Sequence, residues 1–290
     1  MELGQTIKQL RQKSNLTQKE LSDGICTQSQ ISKIEKGIKH PSSIVMYKIC
    51  SKLRVDPNYI FEISKNEKYD YVDNVKSVLR NFITEREYEK ILEIVEYEEK
   101  NNNFQDKYEQ QFLLWHKGIS LYYLNHKKSQ SLEILQTALK LTTKNEKGYS
   151  KEEIGILNSI SVIYAESGDH LRAIMYFEKT LKIFNNNQVK DKLLKVRTFY
   201  NLAKVYSEMK EYKKSMENIE KGIQTSISNQ SLYLLGELYY AKGYAYTCIN
   251  QREKALDNLR TAQFVFSIQK IDNYKSLQDH SIMEQQFFIH

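Results

Sequence analysis

Along the first sixty or so residues, apolar side chains return at every third or fourth position. Leu3, Ile7 and Leu10 form one set, Leu21 and Ile25 a second, Ile31 and Ile34 a third, and Ile44, Tyr47, Ile49, Cys50 and Leu53 a fourth. Each set falls on one face of a helix. Helix boundary signals separate them. Thr17 is an N-cap type with Glu20 three residues on, Thr27 can cap the next helix, and Gly37 stands where a helix ends in the left-handed conformation. Cys26 is expected at the tight corner between the second and third sets. The pattern predicts five short helices within about 65 residues, the size of one small domain.

Beyond that point the pattern changes scale. Both prolines, Pro41 and Pro57, lie in the first fifth of the chain and none follows, so the rest reads as helical throughout. It also repeats itself. ESGDHLRAIMYFEKTLKI at 166–183 aligns with EMKEYKKSMENIEKGIQT at 208–225 and INQREKALDNLRTAQFVF at 249–266, with weaker copies at 124–141 and 83–100. One position of the repeat is occupied by Ile91, Ser131, Ala173, Ser215 and Ala255, at intervals of 40, 42, 42 and 40. Nine residues before each stands an aromatic: Phe82, Tyr122, Tyr164, Tyr206 and Tyr246. A small residue where two helices cross and an aromatic where they pack resembles the tetratricopeptide pattern, with a period longer than its usual 34 or so. Longer helices or longer turns are expected. Residues 267–290, with Ile271, Tyr274, Leu277, Ile282 and Phe287, are expected to close the solenoid. The fold class is all-α.

Between the apolar positions of the third short helix lie Gln28, Ser29, Gln30, Ser32 and Lys33. Such side chains donate and accept hydrogen bonds at base edges, as in a helix-turn-helix whose second helix enters the major groove. The LTQKEL, ISKIEKG and PS segments resemble the phage-repressor type of helix-turn-helix, although the stretch from Leu21 to Ile31 is one residue shorter than that family's turn. Anchored on Ile31, the resemblance puts Gln28, Ser29, Ser32 and Lys33 over bases and Gln18, Thr27 and Ser43 near phosphates. It also implies a structural ion pair between Arg11 and Glu35. Charge agrees with this division of labour. Residues 1–61 hold ten Lys/Arg against five Asp/Glu, a net of +5, out of +7 for the whole chain. A basic module favours phosphate contact and makes affinity fall with salt.

In the repeats, function is expected on the concave face, where the first helix of each pair projects its side chains. Repeat geometry nominates Lys76, Arg80, His116, Asn158, Arg197, Tyr200, Asn201, Lys204, Tyr240 and Tyr244, with Ser120 and Val162 beside them. Amides suit a peptide backbone, cations a carboxylate, and tyrosines give large contact area at low entropic cost.

Composition excludes more than it adds. With 40% apolar and 27% charged residues the chain is ordinary for a soluble protein, and no apolar run approaches the roughly 18 residues of a membrane span. Cys26, Cys50 and Cys248 are widely spaced, without metal-ligand spacing, and read as reduced thiols in a cytoplasm. No paired carboxylates, nucleophile elbow, phosphate loop or metal spacing indicates catalysis, so no enzyme activity, metal or cofactor is expected.

A repressor-type helix-turn-helix followed by long tetratricopeptide-like repeats resembles the PlcR-type peptide-pheromone regulators of Gram-positive bacteria, the group that includes Rgg- and NprR-like proteins. The resemblance runs nearly the whole length, through LTQKELSDGICTQSQISKIEKG with its shortened turn, FLLW at 112–115, IYAESGD at 163–169 and LGELYYAKG at 235–243. It implies a DNA-binding domain at 1–64, a linker helix at 65–75 and a repeat domain for peptide sensing and dimerisation at 76–290. It further implies a cytoplasmic homodimeric transcription factor, an activator by preference, that binds palindromic promoter DNA and a short signalling peptide. The rival readings are a regulator whose repeats hold a protein partner, a repeat-based enzyme or phosphatase-regulating protein acting on a response-regulator partner, and a thiol redox sensor.

Overall fold

In the computed structural model, which describes residues 3–63, 67–143, 148–186 and 190–269, the short helices form where the apolar spacing places them. They are α1 (Leu3–Lys13), α2 (Gln18–Ser22), α3 (Gln28–Glu35), α4 (Ser43–Leu53) and α5 (Pro57–Ile63). Ile7, Leu21, Ile31, Ile49 and Ile60, one from each helix, are fully buried in a single apolar cluster with Ile34, Met46, Cys50 and Leu53. Backbone contact sets how closely α1 and α3 approach. A Cβ on Gly4 would lie 2.1 Å from the Ile34 carbonyl oxygen, so no other residue fits there unless the helices separate.

The turn between α2 and α3 differs from expectation. α2 stops at Ser22, so Ile25 lies beyond it, half-buried against the core. Gly24, at φ +72°, makes the corner in place of Cys26. A side chain in that left-handed conformation costs about 1–2 kcal/mol, which Gly24 avoids, while Cys26 turns inward. The carbonyls freed by the short helix are met from α4: Lys52 Nζ donates to Asp23 O at 2.7 Å and Lys48 Nζ to Gly24 O at 3.4 Å. At the other end of α2, Thr17 Oγ1 accepts from Glu20 N at 3.1 Å while Glu20 accepts from Thr17 N at 2.6 Å, a complete capping box.

The chain divides into two compact units, Met1–Thr84 and Glu85–His290. α6 (Glu67–Glu85), which contains the described part of the expected linker, belongs almost wholly to the first. The second holds α7 (Tyr88–Asn101), α8 (Lys107–Asn125), α9 (Lys128–Thr142), α10 (Lys151–Glu166), α11 (His170–Asn185), α12 (Lys192–Glu208), α13 (Tyr212–Ser228), α14 (Leu235–Cys248) and α15 (Arg252–Ile268). From α8 on, these pair as α8/α9, α10/α11, α12/α13 and α14/α15. Ser131, Ala173, Ser215 and Ala255 are buried at the crossings, and Ser215 Oγ donates to the Ala203 carbonyl across one of them at 2.8 Å. The longer period resides in helices of 14 to 19 residues and in long connections between pairs, such as the one from Thr142 to Lys151. Of the expected closing segment only residues 267–269 are described; Ile271, Tyr274, Leu277, Ile282 and Phe287 lie outside the described residues.

Inside each repeat the turn passes through the left-handed region at one equivalent position. Arg86, His126, Gly168, Lys210 and Asn250, each four residues after the repeat's aromatic, all have positive φ, between 50° and 78°. In the last three repeats the next residue's N–H returns to the aromatic's carbonyl, Asp169 to Tyr164 and Glu211 to Tyr206 at 2.8 Å, Gln251 to Tyr246 at 2.9 Å, a Schellman closure of the first helix. At the Tyr122 turn His126 itself donates its N–H to the Tyr122 carbonyl at 2.9 Å. A basic side chain from the following helix then covers the tyrosine ring: Arg172 over Tyr164, Lys214 over Tyr206, Lys254 over Tyr246.

Only one of the five turns uses glycine. Lys210→Gly is therefore expected to raise, and Gly168→Ala to lower, the stability of the second unit by about 0.5–1 kcal/mol each, read from urea midpoints. In the first unit Glu35 is buried, which opposes its ionisation, but hydrogen bonds from Arg11 and Gln18 prevail and hold its carboxyl below the ordinary value. A depressed folded value means stability that is present above the unfolded value, about 4.3, and lost as pH falls through the folded one. Glu35→Gln is expected to abolish that acid-linked loss while lowering the stability of the unit at neutral pH, measured by urea denaturation as a function of pH.

Candidate DNA-reading helix and ligand groove

On α3, Ile31, Ile34 and Glu35 are buried, while Gln28, Ser29 and Lys33 are exposed and Ser32 is half-buried. The 3.6-residue period places Gln28 above Ser32 and Ser29 above Lys33, so the four share one outward strip. Exposed Thr27 caps the helix, its Oγ1 accepting from Gln30 N at 3.3 Å. Ser43 is exposed at the start of α4, whose N-cap is Ser42. Gln18 is more constrained than expected. Its amide nitrogen donates to Glu35 Oε2 at 2.8 Å, joining the buried pair in which Arg11 Nε donates to Glu35 Oε1 at 2.6 Å. Lys19 and Lys52 were not foreseen: with Thr17 and Gln28 they border one shallow depression at the start of α3.

In the second unit, α8, α10, α12 and α14 adjoin one another in succession. Residues four apart form a stripe on each: His116, Ser120 and Leu124; Asn158, Val162 and Glu166; Tyr200, Lys204 and Glu208; Tyr240, Tyr244 and Cys248. His116 is placed in the packing, 3% exposed, with Nδ1 2.8 Å from the Phe112 carbonyl and its ring tilted on Phe112. Ser120 is likewise fully buried. Asn158 is 7% exposed and its Oδ1 has no hydrogen-bond partner. Tyr200, Asn201 and Lys204 are buried on α12, whereas Arg197 is exposed and donates from Nε to the Tyr233 hydroxyl at 2.6 Å. Tyr240 and Tyr244 are half-buried. Lys76, half-buried, and Arg80, exposed, lie on α6 in the first unit. Between α8 and α10, the Trp115 ring occupies the space that a side chain at Gly155 would need, and its Nε1 donates to Ser159 Oγ at 2.9 Å.

Carboxylates are what sequence reasoning missed. Glu166 and Glu208 occupy equivalent repeat positions, each eight residues beyond a nominated one, Asn158 and Tyr200. Carrying the stripe one more turn would have found them. Tyr123 donates to Glu166 at 3.0 Å, and His170 Nδ1 stands 3.5 Å from Glu208. Glu166 is reached by solvent, yet the surrounding walls displace enough water to raise its pKa despite the Tyr123 hydroxyl and Lys204. Burial raises Glu208 likewise, against the attraction of His170 and Lys204, and raises Glu237, whose Oε2 has no hydrogen-bond partner. Lys204 answers in the opposite sense: burial pulls its ammonium down to about 8, against the pull of Glu208 and Glu166. Among the described residues no group of His, Cys, Asp or Glu is placed to hold a metal, and no helix is long and apolar enough to cross a membrane. All three cysteines are free, and burial pushes the Cys26 and Cys50 thiols up, away from thiolate reactivity.

A family model for the RNPP family C-terminal domain matches residues 76–284, and a helix-turn-helix model matches residues 7–60. The chain belongs to the RNPP family. Among solved structures, Bacillus thuringiensis PlcR in complex with the peptide PapR7 and DNA aligns at a TM-score of 0.82 with 27% identity, covering 97% of this chain and 99% of that one. The SHP pheromone receptor Rgg2 of Streptococcus dysgalactiae shares the fold at a TM-score of 0.67 and 19% identity, over 98% of this chain and all of that one. A curated relative, the RNA polymerase-associated protein CTR9 of Saccharomyces cerevisiae, is 31% identical over 111 residues, 37% of this chain. The chain spans about a tenth of that protein's length, so the likeness carries no functional argument.

The buried lysine of α12, Lys204, has a measurable consequence. An unfolded lysine titrates near 10.4. Between about pH 8 and pH 10 the unfolded chain therefore holds a proton that folded Lys204 has released, and stability rises with pH over that window. Lys204→Met is expected to flatten the rise in urea-unfolding free energy; a slope unchanged in the variant assigns it to another group.

Proposed function

We propose that this RNPP-family chain is a cytoplasmic, homodimeric transcriptional regulator that reads palindromic promoter DNA through α3 and is controlled by a short signalling peptide held along α8, α10, α12 and α14. The observation that carries the reading is the likeness along both parts of one chain, at 27% identity, to a protein solved with a peptide and DNA together. The chemistry supports it from two sides. Gln28, Ser29, Ser32 and Lys33 form an outward polar strip on a helix whose other face is buried, in the unit that carries most of the net positive charge. In the repeats, Asn158 offers an unpartnered acceptor and Asn201 an amide where an extended backbone would need them.

The mechanism requires no chemistry beyond differential binding. A dimer reads two half-sites about one helical turn or a multiple apart, so promoter affinity depends on how the two reading helices are spaced. A peptide that prefers the conformation with the correct spacing shifts the population toward it by its differential affinity. No catalytic step is assigned.

Two measurements test this reading. Isothermal titration of the full chain with synthetic peptides encoded by small open reading frames beside its gene is expected to show binding, and that peptide is expected to alter promoter affinity in fluorescence anisotropy. Failure of every such peptide to bind would leave the repeats as a docking surface for a protein partner. Gln28→Ala and Lys33→Ala are each expected to weaken specific DNA binding by about 1–3 kcal/mol, roughly five- to a hundredfold, with peptide binding unchanged. Equal loss of both activities indicates misfolding and sinks the assignment.

A further inference from the structure

Glu166 and Glu208 are the last residues of α10 and α12. A helix C-terminus already carries partial negative charge, and cations are the side chains favoured there. Two consecutive repeats instead end on a carboxylate, 42 residues apart. Three tyrosines gather at the first of them. Tyr123 donates to Glu166 at 3.0 Å, stacks on Tyr88 with ring centroids 4.7 Å apart, and meets Tyr122 edge-on at 5.2 Å. One lysine faces two carboxylates: Lys204, attracted to both Glu208 and Glu166, is buried with its ammonium 5.8 Å over the Tyr200 ring, whereas Glu166 faces solvent. His170 approaches Glu208 at 3.5 Å without forming a hydrogen bond through Nδ1. Two turns back along the Glu166 stripe, Asn158 Oδ1 is buried and accepts nothing.

Two carboxylates sharing one buried lysine, two helix C-termini, tyrosine faces and an idle acceptor on the same stripe are the chemistry that receives an ammonium or guanidinium group. We propose that Tyr88, Tyr122, Tyr123, Glu166 and Glu208 form a pocket for a basic side chain, lysine or arginine, of the bound peptide. This rests on the reading that the repeats bind a peptide, and it adds a constraint on which one. A peptide without a basic residue leaves two partly desolvated carboxylates to share Lys204, so the pocket selects by penalty as well as by attraction.

The test uses the full chain, Glu166→Gln/Glu208→Gln and Glu166→Lys, each incubated with a random pool of short linear peptides whose retained members are sequenced by mass spectrometry. Glu166 lies open to solvent, so its replacement leaves the packing intact. The natural chain is expected to enrich Lys or Arg at one position. The double variant is expected to lose that preference by about tenfold or more, the size of a charge-assisted hydrogen bond, and Glu166→Lys to favour Asp or Glu there. Retained peptides with no basic preference, or the same preference in the double variant, overturn the pocket and leave the peptide reading standing. Retention of no peptide by the natural chain overturns both.

Discussion

The close crossing of paired helices at a small buried residue is the constraint from which the second unit follows. Ser131, Ala173, Ser215 and Ala255 let one helix lie against the next with nothing larger between them. The crossing fixes where the first helix of each pair must end, and a left-handed residue ends it there, four residues after the aromatic. That so many of these turns seat a side chain at positive φ shows which force prevails. A local cost of about 1–2 kcal/mol is accepted because the packing of two long helices on either side over-determines the turn.

Much of this was legible in the residues. The repeat interval, the crossing positions, the five short helices, the capping Thr17 and Thr27 and the end at Gly37 follow from spacing and cap chemistry, because local propensity and tertiary packing agree there, whereas the Arg11–Glu35 pair was legible only through the family resemblance. The corner at Gly24 was misread because a four-residue apolar spacing, Leu21 to Ile25, persists past the end of the helix that it marks. His116 shows a different limit. Its repeat position is the same as that of Asn158 and Tyr200, but the Phe112 carbonyl and ring draw it into the packing, and periodicity carries no information about that competition. Glu166 and Glu208 were overlooked because acidic residues at helix ends ordinarily mean a solvated surface. What sets these apart is the burial by neighbouring helices, which only three dimensions supply.

The electrostatics of this face follow from the same burial. A carboxylate on a flat surface keeps its water; in a concave wall it remains reachable by a ligand while losing part of its hydration. Glu166, Glu208, Glu237 and Lys204 are all shifted in the direction that burial dictates, with their mutual attractions only partly offsetting it. Such groups are costly in the empty groove and gain when a complementary charge replaces the missing water, so part of the energy for selecting a ligand is already present in the unliganded chain.

Glu35 has a consequence for how a signal can be expressed at the DNA. One carboxylate, nearly out of reach of water, holds Arg11 of α1 and Gln18 of α2 while sitting at the end of α3, and the lysines of α4 grip the turn between α2 and α3. A head tied at so many points has no soft internal coordinate along which its contact surface could be remodelled. Under the proposed function, a signal sensed by the repeats would leave the head's vocabulary of base contacts the same in every state.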